Sequence, residues 1–156
     1  MNLISLSTYS WALGLVGLAV AFASYRSLMT HSPGNAMMSG LSESIHKGAM
    51  AFLKAEYTIL VPFVALVAAL LAFAVDGRTA LAFVAGAVCS IAAGLFGMEA
   101  ATRANARTSE AARTGGQGPA LRVAFLGGSV MGLSVASLGL LGIGLVFVVA
   151  GRGLAS

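Results

Sequence analysis

Residues Glu99–Leu121 read E-A-A-T-R-A-N-A-R-T-S-E-A-A-R-T-G-G-Q-G-P-A-L, the longest charged stretch of the chain without a hydrophobic run. Arg103, Arg107, Arg113 and Arg122, four of the nine basic residues, lie in it or just beyond it. A long apolar segment adjoins it on each side. A charged connection between two apolar helices marks one side of a membrane, and the rest of the topology follows from that side. Glu99–Arg113 is rich in alanine and has no helix breaker, so the helix that enters it should continue to about residue 113. Glu99 can pair with Arg103, and Glu110 with Arg107 or Arg113, at spacings of three or four, each pair contributing a few tenths of a kcal/mol. Gly115-Gly116-Gln117-Gly118 then ends the helix, and Pro119 suits the first turn of the next.

The composition agrees with a membrane protein. The 156 residues are 58% hydrophobic and only 9% charged, with 20 glycines and a mean hydropathy of +0.93. Soluble domains carry about 25% charged residues, so this chain cannot clothe a water-facing surface. The net charge of +4 is no nucleic-acid signal, because the basic residues sit in short loops rather than in one patch with aromatics. A lone Cys89 in an apolar run excludes a disulfide framework and a thiolate metal cluster; it reads as a small buried hydrophobe.

Working outward, the expected architecture is all-α and polytopic, one membrane domain over 1–156. It has four transmembrane helices, at about 3–23, 57–75, 80–98 extended to about 113, and 120–149. The first, Leu3–Ala23, is uncharged and long enough for a hydrocarbon core of about 30 Å. Ala21-Phe22-Ala23 resembles a signal-peptidase site, but the leader lacks a basic start and its apolar run is too long, so it reads as a retained helix. Ser32-Pro33-Gly34-Asn35 signals a turn. After it, Leu41, Ile45, Ala49, Phe52 and Leu53 recur at helical spacing, which predicts an amphipathic helix over about 40–56 running into the second span. Its apolar face needs a membrane surface or neighbouring helices. His31 and His46 fall in this region without a third ligand and read as ordinary loop and helix-surface histidines. Pro62 stands near the first turn of the second span, and Asp76-Gly77-Arg78 is a tight return.

Two stripes of small residues are candidates for close helix packing: Ala82, Gly86, Ser90 and Gly94 in the third span, and Ala124, Gly128, Gly132 and Ala136 in the fourth. Val123–Ala150 is an uncharged run of 28 residues, about 42 Å of helix, so it should tilt or protrude. Lys and Arg distribute seven to two. Arg26, Lys47, Lys54, Arg103, Arg107, Arg113 and Arg122 fall on one side, and Arg78 and Arg152 on the other. Loops 24–56 and 99–119 are therefore expected in the cytoplasm, with both termini outside.

The chemistry is sparse. Glu43, Glu56, Asp76, Glu99 and Glu110 are the only acidic residues and all sit in loops or at span ends. No span has an ionisable residue in its middle, where a self-sufficient transporter would hold a proton or cation. There is no phosphate-cradling Gly loop, nucleophile–base pair or Asp cluster. No catalytic, cofactor-binding or metal-ligating residue is expected in this chain.

Three stretches nevertheless resemble the membrane-bound, ion-translocating inorganic pyrophosphatases. Ile45-His46-Lys47-Gly48-Ala49-Met50-Ala51-Phe52-Leu53-Lys54-Ala55-Glu56-Tyr57 is similar to that family's I-x-x-G-A-x-A-F-L-x-x-E-Y. Ala101-Thr102-Arg103-Ala104-Asn105-Ala106-Arg107-Thr108 with Ala111-Ala112-Arg113 resembles A-T-x-A-N-x-R-T-x-x-A-A-R. Ala120-Leu121-Arg122-Val123-Ala124-Phe125 through Gly132, then Gly139-Leu140-Leu141-Gly142, resembles A-L-x-V-A-F-x-G-G-x-V-M-G and the G-L-G-L-L-G after it. Order and spacing agree across about 40–145. The resemblance implies the N-terminal part of a larger pump in the bacterial inner membrane. That pump couples hydrolysis of inorganic pyrophosphate on Mg²⁺ to translocation of H⁺ or Na⁺. Its partners would be the bilayer, its remaining helices and a second subunit in a homodimer. The catalytic residues would lie beyond Ser156, leaving these four helices as scaffold, inactive alone. The alternative reading is a stand-alone four-helix membrane protein with a structural or partner-binding role. A small multidrug-type transporter would also have this size, but Ser10-Trp11-Ala12-Leu13-Gly14 lacks the membrane-embedded Glu that such a protein needs in its first span.

Overall fold

The computed structural model describes residues 3–151, with side chains over 9–144 and at Val146. Four helices follow one another: α1 (Leu3–Met29), α2 (Ala36–Ala74), α3 (Gly77–Gly115) and α4 (Gln117–Gly151). All four are long and apolar enough to cross a membrane, and no strand occurs among the described residues. Arg152, used in the charge count, lies outside the described residues.

The connections are shorter than the sequence suggests, and each has a local cause. α1 runs to Met29 rather than to about 23, because no breaker intervenes before Pro33. Its end is closed by Thr30 N and Oγ1 and by His31 Nδ1, all on Ser27 O. The Ser32–Asn35 turn forms as expected, with Gly34 at φ 91°. Asn35 caps the next helix, its Oδ1 accepting from Met38 N at 2.9 Å, which starts α2 at Ala36 instead of about 40. The amphipathic segment and the second span are one helix, as expected. Asp76 caps α3 through Thr79 N at 2.6 Å. Between α3 and α4 the Gly115–Gly118 break shrinks to one residue, Gly116, at φ 75°. A Cβ on Gly115 would stand 2.8 Å from Pro119 Cγ, so a glycine is required for the chain to double back this tightly.

α3 packs against α2 on one side and α4 on the other; α4 also packs along α1, and α1 touches α3 slightly. The result is an open row, α2–α3–α4–α1, not a closed bundle. Its interior is made of small side chains: Ala21, Ala93, Ala100, Ala104, Ser134 and Ser137 are all buried, with Leu28 and Val123 the largest fully buried residues. A Cβ on Gly127 would stand 2.5 Å from Ala104 Cβ, and one on Gly14 2.7 Å from Leu141 Cγ. A Cβ on Gly17 would collide with Ser137 Oγ. Backbones therefore approach closely at the α3–α4 and α1–α4 seams.

The fourth-span stripe is a correction. Ala124, Gly128, Gly132 and Ala136 are all exposed, and nothing lies within 4 Å of a Cβ on Gly128 or Gly132. α4 buries the neighbouring face, Val123, Gly127, Val130, Ser134 and Ser137. That face holds the hydroxyls, which are better satisfied between helices than in lipid. The third-span stripe lines a groove of about 780 Å³ between α3 and α4, together with Cys89, Gly139 and Gly142.

Candidate functional site

The richest chemistry lies where α1, α2 and α3 leave their apolar segments. In α3, Glu99, Thr102 and Arg103 share one edge through helical spacing; in α2, Glu43 and His46 stand one turn apart. Arg103 donates from Nε to Glu99 Oε1 at 3.1 Å and from Nη1 to Glu43 Oε2 at 3.2 Å. The Tyr25 hydroxyl of α1 donates to Glu99 Oε1 at 3.2 Å. His46 places Nε2 3.4 Å from Glu99 Oε2 and Nδ1 2.9 Å from Thr102 Oγ1. The Thr102 hydroxyl itself donates to Met98 O at 2.8 Å, so His46 is joined through Thr102 to the α3 backbone as well as facing Glu99. Glu99 is thus the one carboxylate on which side chains from α1, α2 and α3 converge.

The electrostatics follow the burial. The Tyr25 hydroxyl is pushed above its ordinary range, by burial first and then by the Glu99 charge. The Arg103 guanidinium is held above its ordinary value by its bond to Glu99. Arg107 differs: it is only 8% exposed, and burial followed by the Arg103 charge lowers its pKa. Its Nη1 donates to Arg103 O at 2.9 Å, while its buried Nε has no acceptor among the described residues. Glu110 instead takes Arg113, through two bonds of 2.8 Å each. The pairings Glu99–Arg103 and Glu110–Arg113 are those the spacing allows; Glu110–Arg107 does not form.

His31 is an ordinary loop histidine bonded to the end of its own helix. His46 is a correction: its side chain is 13% exposed and ties α2 to α3. The sequence holds a faint signal for it, polar pairs at 43/46 and 99/102/103, but only the topology shows that they face each other. A cavity of about 410 Å³ adjoins the cluster, lined by Leu18, Phe22, Tyr25, Phe96, Glu99 and Val130 among others.

These carboxylates do not fit a Mg²⁺ site. Glu43 and Glu99 are bridged by Arg103, Glu110 is held by Arg113, and Asp76 caps a helix at the opposite end. No group of three or more His, Cys, Asp or Glu side chains able to hold a metal occurs among the described residues. A cation beside Glu99 would also face the Arg103 guanidinium. What the cluster does is clamp three helices at one level.

Comparison with known proteins shows the family. The family model described as inorganic H⁺ pyrophosphatase matches residues 15–155. A Clostridium tetani protein is 47% identical over 129 residues, 83% of this chain and 19% of its own length. The K⁺-stimulated pyrophosphate-energized sodium pump of Thermotoga maritima is 43% identical over 88% of this chain and 19% of its own length. The K⁺-insensitive pyrophosphate-energized proton pump of Pyrobaculum aerophilum is 40% identical over 90% of this chain and 20% of its own length. The chain thus spans about a fifth of the length of the curated relatives it matches.

Proposed function

The chain belongs to the inorganic H⁺ pyrophosphatase family, and from that we propose that it is a scaffold segment of a pyrophosphate-energised ion pump. The pump couples hydrolysis of inorganic pyrophosphate to the movement of H⁺ or Na⁺ across the membrane. This chain supplies a multi-pass membrane layer rather than the reacting groups. The observation that supports a scaffold role is the three-helix clamp on Glu99: the polar groups best placed for chemistry are engaged in holding helices together. Pyrophosphate hydrolysis needs metal ions to neutralise developing charge and activate water; in this reading Mg²⁺ is held by residues of the pump outside this chain. The intact pump is read as a homodimer.

The orientation belongs to the same proposal. Tyr25, Glu43, His46 and Glu99 meet at one end of the row, so segments 24–56 and 99–119 share a side. Seven of the nine basic residues belong to that side, which supports a cytoplasmic location for it, with the bacterial inner membrane as the site. The experiment is co-assembly. When the chain is co-expressed with the four-fifths of the Thermotoga maritima pump outside the matched segment, the two pieces should purify together in detergent at a fixed ratio. A well-folded chain that never associates with that remainder would reject the reading and favour a stand-alone membrane protein.

A further inference from the structure

The half of α2 before its membrane span has two unlike sides. Toward α3 it turns Ser42 and Leu53, both buried, with His46 between them. Facing away stand Met37, Leu41, Ile45 and Phe52, which are 83%, 62%, 43% and 61% exposed. Leu41, Ile45 and Phe52 belong to the stripe that the sequence predicts to be covered. α3 takes the polar edge and leaves them bare. Beside this ridge runs a shallow channel of Gly40, Ser44, Gly48 and Ala51, with nothing within 4 Å of a Cβ on either glycine. At about 100° per residue, Lys47 and Lys54 border the far side of the channel, two turns apart. Neither lysine is in a salt bridge among the described residues.

The course of α2 argues against lipid as the cover of this surface. α2 continues without a break from Ala36 to Ala74, so residues 36–56 project about 32 Å before the span begins at Tyr57. A helix lying in the membrane interface would have to turn away from the span. α2 instead stays against α3, held by Glu43–Arg103 and His46–Thr102. The ridge therefore stands level with solvated charges, beyond the hydrocarbon. An exposed apolar patch in that position is a protein contact surface.

We propose that the ridge and channel of α2 are the docking site for a second helix that projects from the membrane beside it. The proposal rests on the pump reading, and the helix comes from the four-fifths of the pump outside this chain. Its chemistry follows from the site: an apolar ridge seated over Gly40, Ser44, Gly48 and Ala51, flanked by carboxylates two turns apart that face Lys47 and Lys54. A second copy of this chain fits less well, because a parallel two-fold pairing on this face would set each copy's lysines against the other's apolar ridge, with no carboxylate to meet them.

The test uses the chain with Cys89→Ser and one new cysteine, Leu41→Cys or Ile45→Cys, carrying a nitroxide, in phosphatidylcholine vesicles. Collision rates with oxygen and with a water-soluble nickel chelate distinguish lipid, water and protein around the label. For the chain alone, the chelate should dominate at both positions. In the complex with the co-expressed Thermotoga maritima remainder, collisions with both reagents should fall several-fold. Lys47→Glu with Lys54→Glu should cut the recovered complex about tenfold without changing the yield of the chain alone. An oxygen-dominated label in the isolated chain would show a lipid-covered face, and spin–spin broadening there would show a second copy. Undiminished chelate access in a complex that does co-purify would reject the docking site alone. Absence of any complex would remove the docking site and the pump reading together.

Discussion

Glu99 accepts from Tyr25 and Arg103 and faces His46, so a single carboxylate binds side chains from three helices. Glu99→Gln keeps the shape and removes the charge, weakening bonds that are about twice as strong when ionic. We expect an unfolding midpoint several degrees lower, equivalent to about 1–2 kcal/mol, for the purified chain in detergent. An unchanged midpoint would mean that the clamp contributes nothing to holding the helices. Arg107 makes the opposite case. Its guanidinium is buried with an unsatisfied Nε and no carboxylate bonded to it, and a buried charge without a partner costs more than an apolar side chain of similar volume. Arg107→Met should therefore leave stability equal or raise it, whereas a loss above about 1 kcal/mol would reveal a strong acceptor. From the sequence, i,i+4 spacing makes Glu99–Arg103 legible. Tyr25 and His46 are not legible, because their partners lie 74 and 56 positions away.

At the scale of the element, all four helices are readable, since long uncharged runs and capping residues fix them locally. What the sequence misplaces is which face of α4 packs. Small residues show that backbones can approach closely, but α4 carries two such faces offset by one residue. The buried one is picked out by its serines and by Gly127 against Ala104. Gly127→Leu should thus cost about 1–3 kcal/mol or prevent folding, while Gly132→Leu, on an open face, should leave the unfolding midpoint of the chain nearly unchanged. Equal losses would mean that Gly132 also faces a neighbour. The cap on α3 gives a pH signature. The Thr79 backbone N–H holds the Asp76 carboxyl below its ordinary range, so the cap stabilises above the unfolded pKa and is lost as pH falls through the folded one. The difference in midpoint between the natural chain and Asp76→Ala should be full near pH 6. It should close in the acidic range below the usual Asp pKa of about 3.9. Asp76→Asn, which caps without titrating, should keep its advantage over Ala throughout.

At the scale of the molecule, the open row α2–α3–α4–α1 leaves apolar ridges and grooves on both faces, as suits one layer of a larger assembly. Membrane class and helix count follow from composition and the lengths of the apolar runs, because the bilayer enforces them with few residues. The arrangement of the row is not legible, since it depends on side-chain fit between segments far apart in sequence. Fusions test the sidedness. A reporter active only outside the cytoplasm should work within Asp76–Arg78 and be silent at Gly116 or Pro33, and activity at Gly116 would reverse the orientation. The most direct test of the scaffold reading is turnover. The purified chain with Mg²⁺ and inorganic pyrophosphate should release no phosphate, whereas its complex with the Thermotoga maritima remainder should hydrolyse pyrophosphate and carry ions in sealed vesicles. Metal-dependent hydrolysis by the chain alone, abolished by changing one of its own glutamates, would contradict the account.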